Sequence, residues 1–301
     1  QSMVSPTFKQ LRYFLALCKE EHFGRAAKAC FVSQSAFSSA IQEIEAILES
    51  SLVDRTNRTV TITAKGQEVA TQARLVVRDL ESLVSIAKGG HAPLTGELRL
   101  GVIPTIAPFM LPGLLPKLRK QYPSLELLLI EDQTLRIYER LMDGELDVLL
   151  MALPWDMIGV EEQVLFRDDF CLAYRQGTKH VDPENYRFNR LNSDTVLLLE
   201  DGHCLRDHAL SACKIRNTEK VRRFGASSLL TLIEMIDADL GVTFLPDMAR
   251  GSTLLRNTRV RLHTLSDNSY RNIGLVWRKG SRRTDEFQLL GELTRTHWES
   301  R

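Results

Sequence analysis

From Lys65 onward the sequence reads as one long helix whose apolar positions divide the whole chain. Val69, Ala73, Val76, Leu80, Leu83 and Ala87 are separated by four, three, four, three and four residues, a heptad seam of nearly three repeats. Such a seam, flanked by Arg74, Arg78 and Glu81, suits pairing with a second copy better than packing on its own domain. Lys88-Gly89-Gly90-His91-Ala92-Pro93 then breaks the helix and marks a linker. A dimerising helix over residues 64–90 leaves a small front part, residues 3–63, and a large back part, residues 91–301.

In the front part Phe8, Leu11, Phe14, Leu15 and Cys18 recur at three- and four-residue steps, one face of an amphipathic helix. Gly24 to Cys30 is a short alanine-rich helix whose start His22 helps to set, Phe31-Val32 is a turn, and Ser33 can N-cap a third helix. That third helix places Phe37, Ile41, Ile44 and Leu48 on one face and Gln34, Ser35, Ser38, Ser39 and Gln42 on the other. Two short helices joined by a tight turn, the second with a polar face, is the helix-turn-helix geometry that enters the major groove of DNA. A solvated helix in an ordinary helical subdomain is the plainer alternative. Arg55-Thr56-Asn57-Arg58, ahead of the alternating Thr59 to Thr63, favours the DNA reading: it predicts a hairpin wing whose Arg55 and Arg58 meet phosphate or minor groove. A dimerising helix directly behind it fits, because a two-fold protein reads two half-sites of double-stranded DNA.

The back part alternates. Leu98 to Val102, Leu125 to Ile130 and Leu146 to Leu153 read as strands, with helices over Phe109 to Tyr122 and Thr134 to Asp143 between them. That order predicts an α/β fold with a parallel sheet. A second cycle follows, with strands at Phe170 to Tyr174 and Val196 to Leu199, a helix from Ser227 to Ala238, a strand at Ile273 to Trp277 and a final helix from Thr284 to Trp298. Two α/β lobes result, and ligands of such folds sit beyond strand ends or between lobes.

Charge is nearly balanced, with 39 Lys plus Arg against 38 Asp plus Glu, so affinity for DNA must come from placed residues rather than a global field. No apolar run approaches the roughly 18 residues of a membrane span. The start Gln1-Ser2-Met3-Val4 shows neither the basic nor the apolar region of a secretion signal, which predicts a cytoplasmic protein; Gln1 and Ser2 read as an appended remnant. No dinucleotide fingerprint, P-loop, HExxH or metal-spaced Cys/His cluster occurs, so neither cofactor nor metal is expected. His180 and His263 read as surface residues.

Five cysteines in such a chain argue for thiols rather than a disulfide framework. Cys18, Cys30 and Cys171 read as buried, inert thiols. Cys204 differs: it follows the strand Val196 to Leu199 and has His203 and Arg206 beside it, neighbours able to stabilise a thiolate, the form that attacks peroxide. Cys213 could convert the resulting sulfenic acid to a disulfide. If the segment between them is helical, nine residues set the thiols roughly 13 Å apart, so bridging them requires local refolding. Two incidental cysteines, or a metal pair at a spacing unlike the usual zinc knuckle, are the alternatives.

His22-Phe23-Gly24-Arg25-Ala26-Ala27 through Val32-Ser33-Gln34, the linker helix and the two-lobed back part together resemble the LysR-type transcriptional regulators along essentially the whole chain. Gly202-His203-Cys204-Leu205-Arg206-Asp207 with Cys213 is similar to the signature of that family's hydrogen-peroxide sensors. The resemblance implies a winged helix-turn-helix, a linker helix and a regulatory domain of periplasmic-binding-protein type, lobe I about 96–168 plus 272–301 and lobe II about 169–271. It implies that Cys204 is the peroxidatic cysteine and Cys213 the resolving one, that Thr105, Thr134 and His203 line the peroxide pocket, and that Arg271 lies near the thiol. It also implies homotetramers on promoter DNA that recruit RNA polymerase when oxidised. Ser35 stands where the family often has proline, Ser39 where many members carry a basic residue, and Glu49-Ser50 where a glycine-containing turn is usual, so the resemblance does not carry over an operator sequence. A LysR-type regulator sensing a small metabolite between the lobes, with Ser227 and Ser228 holding an anion, is the runner-up. A thiol peroxidase is the reading from another class, and the DNA-binding front end argues against an enzyme.

Overall fold

In the computed structural model, which describes residues 4–55, 60–90, 92–215, 218–222 and 225–301, the first helix starts at a capping box between Thr7 and Gln10. This α1 (Phe8–Glu20) packs with α2 (Phe23–Ala29) and α3 (Gln34–Ile47), and with the start of α4 (Ala64–Ala87). Its buried stripe is Gln10, Tyr13, Phe14 and Leu17, a rotation from the expected face, because helices cover it from more than one side. Leu11, Leu15 and Cys18 lie half-buried at the margin of that core. His22 caps α2 through Nδ1, and Ser33 caps α3 by accepting from Ala36 N, both as the sequence predicts. Phe37, Ile41 and Ile44 fill the core, Phe37 stacked on Tyr13 with centroids 5.3 Å apart.

Phe31 ends α2 in a Schellman motif, Val32 N donating to Ala27 O and Phe31 N to Lys28 O. Its φ is 58°, a left-handed conformation that penalises a bulky side chain, and the ring is 95% exposed. Phe31→Gly is therefore expected to stabilise the amino-terminal unit by about 1 kcal/mol. A denaturant titration of the full chain checks it; an earlier unfolding midpoint would contradict the strain.

The wing is β1 (Val53–Asp54) against β2 (Thr61–Ile62), antiparallel with Val53 opposite Ile62. Its tip, with Arg58, lies outside the described residues. Glu45 of α3 fixes the wing's base, its Oε1 accepting from Leu52 N and Val53 N. Gly66 allows α4 to press against this base, since a Cβ there would lie 2.3 Å from the Leu52 carbonyl oxygen. Along the heptad seam Val69 packs on the amino-terminal core and Ala73 is buried, whereas Val76, Leu80 and Leu83 are 37%, 38% and 61% exposed.

The chain divides into two compact units, Gln1–His91 with Met142–Glu145, and Ala92–Leu141 with Leu146–Arg301. The second runs β3 (Gly96–Val102), α5 (Ala107–Gln121), β4 (Leu125–Glu131), α6 (Thr134–Met142), β5 (Val148–Leu153) and β6 (Val160–Arg175). Then come α7 (Cys204–Ala212), α8 (Leu229–Asp237), β7 (Thr243–Pro246), α9 (Thr253–Arg256), β8 (Val260–Thr264), β9 (Tyr270–Arg278) and α10 (Thr284–Glu299). The main sheet has the order β4-β3-β5-β9-β6-β7, with β8 also on β6. β3, β4 and β5 are parallel as expected, and β5 is buried along its whole length.

The parallel expectation fails beyond β5. β9 and β6 are antiparallel, and the 16-residue β6 serves both lobes, pairing β9 with its first part and β7 and β8 with its last. Val196 to Leu199 is extended and buried but forms only isolated parallel bridges, to Val221, Val242 and Ala226. Its neighbours pass too briefly for a ladder: Val196 N donates to Lys220 O on one side and Leu197 N to Val242 O on the other. One core gathers around Leu100, Leu149, Trp277 and Phe287, another around Phe170, Leu197, Ile233 and Phe244.

Candidate functional site

Helix α7 begins where the buried segment Val196 to Leu199 ends in a tight turn. Gly202 holds φ 97° there, a left-handed conformation that favours glycine, and a Cβ on it would lie 2.5 Å from Gln133 Oε1, which would have to shift. His203 is the N-cap residue, buried, its Nε2 3.0 Å from the Ser227 carbonyl oxygen. Gln133 Nε2 lies 3.3 Å from the same ring nitrogen.

Cys204 opens α7 with its thiol 5% exposed and 3.1 Å from Thr134 Oγ1, the first residue of α6. Burial pushes this thiol up, outweighing the Thr134 hydrogen bond, the field of Arg271 and the backbone N–H at the helix start, all of which favour the thiolate. The resting group is a protonated thiol in the field of Arg271, with the charge of Asp207 opposing its anion.

Arg271 is fully buried, its Nε 3.0 Å from Asp168 Oδ2. Its other donors reach Thr105 Oγ1 at 2.9 Å, Thr105 O at 3.0 Å and Met248 Sδ at 3.4 Å. Asp168 also accepts from Met248 N, and burial pushes its carboxyl up against the opposing pull of Arg271. Thr105 and Arg271 are thus in contact, as are Thr134 and Cys204, and Arg271 acts on the thiol through its field.

Arg206 does not reach the sulfur. Its guanidinium holds the Leu199 carbonyl and Asp201 at 3.1 Å each. Two residues along a helix is about 200° around it, which turns Arg206 away from Cys204. Asp207 is exposed beside a groove of about 450 Å³ shared with Leu210, Ser211, Lys214 and Ile215.

Cys213 caps the far end of α7. Burial pushes it up to about 12, with Asp267 adding to the effect and Ser269 opposing it. All five cysteines are free. Of the three cysteines expected to be buried only Cys171 is, Cys18 and Cys30 being half-buried at the margin of the amino-terminal core; burial raises Cys18 to about 11 and Cys171 to about 12, and Cys30 is raised as well. Cys204 packs into the core of Leu100 and Trp277 while Cys213 packs into that of Phe170 and Phe244, so α7 spans two cores with one thiol in each.

Sequence reasoning passed over Asp168, Gln133, Met248 and His208. Asp168 alone carried a usable signal, being in phase with Phe170 and Leu172 on the inward face of β6. Among the described residues no group of three His, Cys, Asp or Glu side chains is placed to hold a metal, and no helix is long and apolar enough to cross a membrane.

In the amino-terminal unit α3 exposes Gln34, Ser35, Ser39 and Gln42, with Ser38 half-buried and Ser33 committed as the cap. Arg55 pairs with Glu45 Oε2 at 3.2 Å and lies over the Phe23 ring. Residues 8–67 match the family described as bacterial regulatory helix-turn-helix protein, lysR family, and residues 91–299 match the LysR substrate binding domain. The chain belongs to the LysR family. This LysR regulator is 38% identical over 286 residues to the HTH-type transcriptional regulator EstR of Acinetobacter baylyi, covering 95% of each chain. It is 35% identical to the DNA-binding transcriptional dual regulator OxyR of Escherichia coli, over 95% of this chain and 94% of that one. A full-length OxyR variant from Pseudomonas aeruginosa superposes with a TM-score of 0.80 at 30% identity, covering 97% of this regulator and 95% of that chain. The LysR regulator thus resembles OxyR over its whole length.

Proposed function

We propose that this protein is a peroxide-sensing transcriptional regulator of the oxidative stress response, switched by a disulfide between Cys204 and Cys213. The observation that carries the reading is that α7 joins two thiols seated in different cores. With Cys204 at the start of the helix and Cys213 at its cap, nine residues separate them by about 13 Å, whereas a disulfide needs Cα atoms within about 7 Å. The helical and bridged states exclude each other, which is what a switch requires.

In the chemistry, the Cys204 thiol gives up its proton, its sulfur takes one oxygen of hydrogen peroxide, and the O–O bond breaks with the second oxygen leaving as water. Thr134 orients the sulfur, and Arg271 and the helix start stabilise the anion. The Cys213 sulfur then displaces water from the sulfenic acid and the disulfide closes. Refolding of α7 alters how the homotetramer, paired through residues 64–90, sits on double-stranded promoter DNA, and thereby recruits RNA polymerase in the cytoplasm. Gln34, Ser35, Ser38, Ser39 and Gln42, with Ser33 at the cap, face base edges and phosphates, and Arg55 and Arg58 serve the wing.

The metabolite-sensing alternative places an anion on both Ser227 and Ser228 at the start of α8, and one of the two is already engaged. Ser228 Oγ already accepts from Thr231 N and donates to Thr231 Oγ1. Mass spectrometry after substoichiometric peroxide should find the Cys204 and Cys213 peptides linked, and Cys213→Ser protein should stop at a sulfenic acid. Two unchanged thiols would sink the proposal.

A further inference from the structure

His208 sits midway along α7, four residues after Cys204 and therefore on the same face of the helix. Its Nε2 lies 2.7 Å from the carbonyl oxygen of Pro154, which follows β5 in the other lobe. Because that oxygen only accepts, Nε2 carries the hydrogen and donates. The second ring nitrogen, Nδ1, is buried and has no hydrogen-bond partner. The ring is therefore held in one neutral tautomer, with a lone pair sealed from solvent and nothing placed to receive a second proton.

The surroundings agree. Burial pushes His208 below its ordinary value, Arg271 of β9 pushes in the same direction, and the Pro154 carbonyl and Asp207 of its own helix oppose them. Opening α7 would break the bond to Pro154 and expose the ring to water, where it titrates near pH 6.5.

We propose that His208 is a proton-linked latch: its buried, unpartnered Nδ1 makes the docked position on the neighbouring lobe favour the neutral ring, and disulfide formation releases the ring to take up a proton. This rests on the reading of Cys204 and Cys213 as the switching pair. Both thiols are protonated in the resting state, with Cys213 near 12 and Cys204 pushed up, so oxidation to the disulfide delivers two electrons to the oxidant and releases two protons. If His208 binds one proton on release, the net number falls from two above about pH 7 toward one below about pH 6. The sign follows from the lowered value: the latch contributes fully to the reduced state above about pH 6.5 and is lost as pH falls. At pH 5.5 the disulfide equilibrium should be shifted about tenfold toward the oxidised form relative to a chain whose latch cannot titrate.

The test is a redox titration of the full-length protein in dithiothreitol buffers from pH 5.5 to 8, with the linked fraction read by thiol alkylation and mass spectrometry. Wild type should release two protons per disulfide at pH 8 and close to one at pH 5.5. His208→Gln keeps an N–H for Pro154 but cannot titrate, and should release two throughout. Equal proton counts in the two proteins would overturn the latch, as would a fall that persists in the variant. Should His208→Gln not fold, nitrogen NMR of the reduced wild type decides: the Nε2–H tautomer should persist below pH 6, and a ring titrating near 6.5 overturns the proposal. Failure of wild type to form any Cys204–Cys213 disulfide would instead remove the reading on which the latch rests.

Discussion

Asp168→Ala is expected to destabilise the larger unit by about 3–5 kcal/mol, a large share of the 5–15 kcal/mol of an ordinary domain. Both members of the Asp168–Arg271 pair have side chains with no exposure, and they stand opposite one another where β6 and β9 run antiparallel. Removing the carboxylate leaves a guanidinium in the interior with only Thr105 and Met248 to solvate it. Desolvation, which the ion pair offsets, is then uncompensated. Asp168→Leu combined with Arg271→Met removes both charges together and should recover most of the loss, whereas Arg271→Met alone should not. Urea unfolding of the single and double variants measures the difference. A cost below about 1 kcal/mol for Asp168→Ala would mean that water reaches the pair and that Arg271 is not fixed beside Thr105.

What could be read from the sequence was whatever repeats locally. The spacing of Phe37, Ile41 and Ile44 gave the face of α3, and Ser33 its start, because capping and helical periodicity depend on residues within a few positions of each other. The stripe of α1 was displaced because packing by other helices, not its own pattern, chose between Phe8 and Tyr13. The first half of β6 was invisible for a related reason. Glu161, Glu162 and Gln163 carry no apolar alternation, and the strand is held by its register with β9, more than a hundred residues later in the chain.

The candidate site divides in the same way. Cys204 and Cys213 stand out in one short segment, and a helix between them fixes their separation without any tertiary information. The partners of Cys204 come from far away: Thr134 is 70 positions distant, and Thr105 and Arg271 are 166 apart. Proximity in sequence misled in the case of Arg206, which is next but one to the thiol yet faces the Leu199 carbonyl. Asp168 was hidden by Asp169 beside it, a half-buried residue paired with Arg167; only the inward phase of Phe170 and Leu172 separates the two carboxylates.

Placing glutamate at both Leu80 and Leu83 should abolish pairing through α4 and lower affinity for a two-half-site DNA duplex by about 100-fold or more. The seam is apolar where the single chain gives it nothing to cover: Leu80 and Leu83 are 38% and 61% exposed, and Val84 and Ile86 beside them 46% and 56%. An exposed stripe of that kind on a 24-residue helix is a cost unless a second copy buries it. Joining two DNA-reading units makes the second contact intramolecular, an advantage of about 100- to 10,000-fold that is lost when the joint fails. Near-neutral net charge makes the dependence steeper, because a lone unit has no broad positive field to hold it on DNA. Sedimentation should find a smaller species and DNA titration a loss that is the same for oxidised and reduced protein. If the double variant kept the assembly state and DNA affinity of wild type, pairing would have to reside elsewhere, and the exposed leucines would need another partner.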